Sequence, residues 1–423
     1  MIRSAVLCVL LLYYTDLCAQ EIIELSKVEA ETIFLEQNLR LLSEKLEIES
    51  QQAEVIQARL WPNPEFSVGE INLWENNTVE PSPPFFNNFG RNQQVAFEIN
   101  QLIETAGKRK KRIALEEIDV SKSEQVFEKT LRNLKLELRL LLTELQYLKL
   151  SKDIHQNLLT NLSTLLRAFE NQMQLGHLSR ATFARLKAEE LQIQKKILEL
   201  DRFTDDIQKE LRLLMRFPPT IQLVITDEKF NTQIPELENH SLLQLFDNAK
   251  ENRPDYQLVL LEETYSENQL KYEKALRIPD VEFGITYDRN GSTMLDFVGV
   301  GMSFELPIFN RNKGNILQAQ INIEKAEIER EQTELEIQNQ VYLSYQVLRQ
   351  ALDFYHSIDE NYERELDDLL ENYTQNFSSK NLSLLEYIDF LDTYLTNKII
   401  LLDAQKEIEI KREEFYHVLG YEL

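Results

Sequence analysis

One joint constrains this chain more than any other feature. It is Phe304-Glu305-Leu306-Pro307-Ile308-Phe309-Asn310-Arg311-Asn312-Lys313-Gly314-Asn315-Ile316. Before it, Val298, Val300, Met302, Phe304 and Leu306 alternate with Gly299, Gly301, Ser303 and Glu305, the period of a β-strand. After it, Asn315 to Leu419 contains neither glycine nor proline, which predicts very long helix. Pro307 cannot donate to a sheet ladder and Gly314 is poor inside a helix, so Pro307 and Gly314 bracket the change from strand to helix.

The same transition occurs twice. Arg59-Leu60-Trp61-Pro62-Asn63-Pro64-Glu65-Phe66 answers Leu276-Arg277-Ile278-Pro279-Asp280-Val281-Glu282-Phe283, and Phe97-Glu98-Ile99 with Gly107 answers Phe304-Glu305-Leu306 with Gly314 at a common offset of 207. Leu178-Ser179 and Leu382-Ser383 match at an offset of 204, at the far ends of the long helices. Residues 20–217 and 240–423 therefore read as two structural repeats: helix, β-hairpin (64–103 and 279–306), long helix, turn (near Gly176 and near Lys380), returning helix. An irregular connector, 218–239, lies between them, bounded by Pro218-Pro219 and Pro235 and including the apolar run Ile221 to Ile225.

Within the first repeat, 21–61 reads as helix ending at Pro62, and Trp74 to Asn92 as a polar loop. From Lys108 to Leu175 no breaker occurs, and Phe127, Leu131, Leu134, Leu138, Leu141, Leu145 and Leu148 form a heptad seam that wants neighbouring helices. At 1.5 Å per residue such a helix is on the order of 100 Å long. A second helix is expected from Ser179 to Phe217. In the second repeat, 242–276 reads as helix interrupted near Pro254, and Asn290-Gly291 as the turn of a hairpin that continues at Leu295.

Residues 1–19 carry Arg3, an apolar run from Ala5 to Leu12, and Cys18-Ala19-Gln20, the pattern of an export signal cut after Ala19. Cys18 would suit a lipid-modified N-terminus, but Thr15-Asp16-Leu17 fits that chemistry poorly. Cys8 and Cys18 are the two cysteines, so disulfides play no part in the expected mature chain. The net charge of −25 argues against nucleic-acid binding. An acidic surface commonly gives solubility; a focused acidic conduit favouring cations is the sharper reading. His155, His177, His240, His356 and His417 are scattered, and Met173 and Met215 are isolated, so each reads as packing or surface rather than as a metal ligand. Asp288-Arg289-Asn290-Gly291 lacks the later ligands of a calcium loop. No nucleophile triad, phosphate loop or zinc helix is present, so neither enzymatic activity nor a cofactor is expected.

Four strands of 9 to 12 residues in an exported chain have the length that crosses an outer membrane, yet a barrel needs about eight strands, so several copies must share one. The segment Phe304 to Ile316, the Pro62-Asn63-Pro64 strand start, the two-fold repeat and the two tip turns resemble the TolC family of outer-membrane efflux proteins. Leu306-Pro307-Ile308-Phe309-Asn310 with Gly314 is most similar to its heavy-metal cation branch, the CusC and CzcC type. The resemblance implies a mainly α fold with a small β part: four membrane strands per chain in a shared twelve-stranded β-barrel, and long antiparallel helices forming a periplasmic α-barrel. It implies a homotrimer in outer-membrane lipid that works with a periplasmic adaptor and an inner-membrane RND-type pump. The cargo would be heavy-metal cations, with organic compounds as the alternative within the same fold. A different class, an exported structural coiled coil or adaptor, has no use for strands 281–287 and 298–306, and an adaptor would need glycine-rich β domains.

Glu386, Asp389 and Asp392 share one helix face by their spacing. By resemblance they mark the acidic ring of a closed periplasmic gate, where three-fold repetition would gather carboxylates that repel and select cations; otherwise they form a solvated acidic face. The tip residues Gly176, Leu178, Ser179, Lys380, Leu382 and Ser383 are expected to meet the adaptor. Thr182 and Leu382 stand where relatives often carry an acid and an arginine, so the locking contacts of relatives are expected to be either absent or replaced, with Arg180 or Arg185 as candidates, and Lys380 stands where a tip glycine is common. Lys108-Arg109-Lys110-Lys111-Arg112 opens a helix against its macrodipole. This basic rim should therefore find compensating carboxylates or anionic headgroups.

Overall fold

The structure, a computed structural model, describes residues 21–69, 71, 94–175, 179–232, 240–289, 294–359, 361–379 and 381–422. The expected export signal, the whole 74–92 loop, the Asn290-Gly291 turn, Gly176, Leu178, Lys380 and residues 233–239 of the connector lie outside the described residues. In order, the elements are β1 (Glu21–Leu25), α1 (Lys27–Gln37), α2 (Leu39–Ala58), β2 (Glu65–Gly69), β3 (Val95–Ile103), α3 (Lys108–Gln174), α4 (Arg180–Leu214), β4 (Ile221–Ile225), α5 (Leu242–Asn252), α6 (Pro254–Ala275), β5 (Val281–Arg289), β6 (Asp296–Phe304), α7 (Lys313–His356), α8 (Tyr362–Ser378) and α9 (Leu384–Leu419).

Two compact units divide these elements. One holds the described residues before Lys45 together with Phe127–Pro254 and Leu335–Leu423. Four of its helices begin where a serine hydroxyl can take up a free backbone N–H: Ser26, Ser179, Ser241 and Ser383 are N-caps. Two cores fill it. In the first, Leu134, Leu138, Leu142 and Leu145 of α3 pack with Phe34 of α1, Leu211 of α4 and the β4 residues Ile221, Leu223 and Ile225. In the second, Leu158, Leu162 and Phe169 of α3 pack with Leu186 of α4, Leu370 and Phe377 of α8, and Tyr387 and Leu391 of α9. Of the α3 heptad seam, Leu134, Leu138, Leu145 and Leu148 are buried and Phe127, Leu131 and Leu141 half-buried; each fully buried leucine contributes about 1.5–3 kcal/mol.

Three expectations are corrected in this unit. Glu21–Leu25 is not helix, and Ile221–Ile225 is not irregular: they are β1 and β4, paired in parallel with Glu21 opposite Ile221 and Leu25 opposite Ile225. Gln208 fixes the pairing by accepting from Leu223 N–H at 2.9 Å and donating to its carbonyl at 2.5 Å. The 21–61 helix is also broken at Asn38, whose side chain accepts from Arg40 and Leu41 N–H, both at 3.0 Å, and donates to Leu214 O at 2.8 Å. Finally, the run after Gly314 is interrupted between α7 and α8, where Asp359 accepts from Asn361 N–H at 2.8 Å. Such side-chain bonds to the local backbone end helices without glycine or proline.

The other unit comprises Lys45–Val126 and Asp255–Glu334. It contains a four-stranded antiparallel sheet in the order β2-β3-β5-β6. The two hairpins of the repeat are joined along β3 and β5, with Phe97 opposite Tyr287 and Ile99 opposite Ile285.

Candidate functional site: a two-faced sheet and an acidic helix end

Register decides what the sheet can do. Phe66 and Val68 of β2 lie opposite Ile99 and Phe97 of β3, which lie opposite Ile285 and Tyr287 of β5, which lie opposite Val300 and Val298 of β6. All of them point to one face, with Phe283, Met302 and Phe304. That face is uncovered: Val300 is 85% exposed and Val298 67%. Phe66, Phe97 and Tyr287 run across it as a stacked aromatic ladder with ring centroids 6.1 and 6.4 Å apart. The opposite face carries Glu65, Ser67, Glu98, Asn100, Glu282, Thr286, Asp288 and Ser303, and its described residues include no lysine or arginine. A sheet that is largely apolar on an open face and largely polar on the other, Leu102 and Phe297 being the apolar exceptions on the second and the Arg289–Asp296 pair the charged one on the first, with β2 and β6 each paired on one side only, is stable where lipid covers the first face and further strands close the edges.

The helices attached to the edge strands share this incompleteness. Within the sheet's unit, Leu46 and Ile56 of α2 and Leu317, Ile321 and Ile328 of α7 are large, apolar and exposed. The helices attached to the inner strands differ: α6 exposes no large apolar side chain, and the Lys108–Val126 part of α3 exposes only Val126 among the described residues.

The strand-to-helix joints are built differently in the two repeats. In the first, Ala106 and Gly107 have φ of 53° and 66°; in the second the positive φ of 54° belongs to Asn312. Gly314 sits inside the first turn of α7 with open space around it, so the matched glycines do not play matched roles, and the backbone need assigned to Gly314 falls on Asn312. Asn312 is held by hydrogen bonds of 2.6 Å to the Glu273 carboxylate and 2.9 Å to the Glu273 carbonyl.

The basic rim is satisfied largely within the chain. Lys108, its side chain 6% exposed, pairs with Asp280 at 2.8 Å, and Arg112 pairs with Glu104 at 2.6 Å. Arg109 donates to Arg59 O at 3.0 Å and lies over the Trp61 ring at 4.6 Å, while Lys111 reaches Ala106 O at 2.5 Å. Lys110 is exposed. Carboxylates and carbonyls thus offset the macrodipole.

In the other unit, Glu386, Asp389 and Asp392 are all exposed on α9. Glu386 is engaged locally: with Ser383 it forms a capping box, and hydrogen bonds from Ser383 hold its carboxyl below the usual range. An acid missed in the sequence joins the cluster. Glu189 of α4 is pushed up by burial and then by the charge of Asp392. Its partner lies on another helix, so no local spacing could reveal it. Ser179 caps α4 by accepting from Thr182 N–H at 3.0 Å, and Leu382 packs against the aromatic core of Phe169, Phe377 and Tyr387. Among the described residues, no three His, Cys, Asp or Glu side chains gather as a metal site, and no helix is long and apolar enough to cross a membrane.

The family profile described as "Outer membrane efflux protein" matches residues 33–215 and 245–376, one stretch in each repeat. The chain belongs to the outer membrane efflux protein family. Its fold is similar to that of CusC at 15% identity and a TM-score of 0.73, covering 94% of this chain and 92% of that one. It is also similar to VceC of Vibrio cholerae (15%, TM-score 0.70, 94% and 96% covered) and to the CmeC outer membrane channel of Campylobacter jejuni (13%, 0.72, 93% and 85%). No curated protein matches the chain. As an outer membrane efflux protein it is an outer-membrane transport duct of TolC-like fold, not an enzyme. That membership explains an exposed apolar sheet face, which a protein fully in water would not sustain.

Proposed function

We propose that three copies of this chain close a twelve-stranded barrel and form the exit duct of a tripartite pump, opened by a periplasmic adaptor and driven by an inner-membrane RND-type partner. The carrying observation is the edge pattern. The edge strands β2 and β6, each paired on one side only, and the exposed apolar residues of α2 and α7 belong to the same two margins, so β6 and α7 of one copy would meet β2 and α2 of the next. A head-to-tail contact of this kind closes into a ring when its rotation allows. Lipid would cover the Val298, Val300 and Met302 face, and the Glu98, Glu282 and Asp288 face would line the lumen.

The cargo reading is heavy-metal cations. It is supported by the Leu306-Pro307-Ile308-Phe309-Asn310 resemblance, by the acidic lumen face, and by Asp389, Asp392 and Glu189 near the helix end, which would form the selective constriction. The tip segments about Ser179 and about Leu382 and Ser383 would meet the adaptor. A deletion strain compared with its parent on copper, zinc, cobalt and hydrophobic drugs tests the cargo. Selective metal sensitivity is the expected result; selective drug sensitivity would replace metals by organic solutes in the same duct.

A further inference from the structure

A cavity of about 650 Å³ lies among α3, α4 and α9, bounded by Tyr147, Leu148, Leu200, Phe203, Leu395 and Ile399. This volume and largely apolar wall are those of a small-molecule site. His155 also lines it and is only 2% exposed. Its Nδ1 lies 2.6 Å from Ser151 O. A carbonyl can only accept, so Nδ1 carries the proton; burial disfavours the charged ring, and the nearby Lys196 adds to this. Nε2 is then left as an acceptor with no partner among the described residues. The charged groups around the cavity are otherwise engaged: Glu144 pairs with Lys406 at 3.3 Å, Lys406 lies over the Tyr147 ring at 3.7 Å, and Lys196 lies 3.8 Å from Glu199; Asp206 completes the charged lining.

We propose that this cavity binds an uncharged aromatic molecule with one hydrogen-bond donor, of the phenol or naphthol class, its ring among Tyr147, Phe203 and Ile399 and its hydroxyl on His155 Nε2. Such a molecule would brace α9 against α3 and α4 within one turn of Asp392.

The test uses the full-length assembled protein in amphipol, with 1-naphthol as probe and naphthalene as its donor-less control, followed by equilibrium dialysis. Saturable binding of 1-naphthol about tenfold tighter than naphthalene is expected, because naphthalene would cover the Nε2 acceptor without offering it a donor. His155→Phe should abolish that preference while still binding naphthalene, and Leu200→Trp should remove both. Absence of saturable binding, a tenfold preference retained in His155→Phe, or undiminished binding in a folded Leu200→Trp protein would each overturn the proposal.

Discussion

Glu386 Oε2 accepts from both the backbone N–H and the hydroxyl of Ser383, at 2.9 and 2.6 Å, and Ser383 Oγ accepts from Glu386 N–H at 3.3 Å. The first acid of the 386/389/392 series therefore starts its own helix, whereas Asp389 and Asp392 have no such task. Because the folded pKa of Glu386 is depressed, its support is present above the unfolded carboxylate value near 4.3 and is lost only as pH falls through the lower folded value. In planar bilayers, Asp389→Asn with Asp392→Asn should raise single-channel conductance without lowering thermal stability. Ser383→Ala should instead loosen the helix start by about 1 kcal/mol. Unchanged conductance in the double variant would remove the gate role.

Glu189 and Asp392 make the opposite linkage. Burial and Asp392 raise the folded pKa of Glu189, so stability is fullest below the unfolded value near 4.3 and is lost as pH rises through the folded value. Asp392→Asn should raise the melting temperature at pH 7, and the gain should vanish below about pH 4. Thermal melts across pH check this, and an equal gain at both pH values would contradict it.

The joints predict unequal glycines. Gly107→Ala forces a side chain into φ of +66° and should cost about 1 kcal/mol, read as a lower melting temperature of the assembled protein. Gly314→Ala, in a helical turn with open space, should be neutral or stabilising by up to about 1 kcal/mol. Equal losses would restore the matched roles that the sequence repeat suggests.

These cases show which features local sequence can carry. The hairpins, the α3 seam and the Pro254 interruption were legible because period and breakers lie within a few residues. The β1–β4 pair was not: Glu21–Leu25 is five residues long, too short to show a period, and its partner lies 200 residues away. The break at Asp359 was hidden because a side chain, not glycine or proline, makes it. The repeat located both joints but could not say that Asn312, rather than Gly314, takes the left-handed backbone. At the helix end, spacing found Asp389 and Asp392 but not Glu189, which only packing brings near.

The central claim is that the exposed margins of one copy meet those of the next. Ile56 lies near the sheet end of α2 and Leu317 near the sheet end of α7, both exposed. With Cys8 and Cys18 confined to the expected leader, Ile56→Cys with Leu317→Cys introduces the only thiols of the expected mature chain. Outer-membrane fractions treated with a short bis-maleimide should give dimer and trimer bands on a denaturing gel and no larger ladder, with each single variant remaining monomeric. Monomer alone from the double variant, or recovery of the chain as a soluble periplasmic monomer, would contradict the trimeric duct.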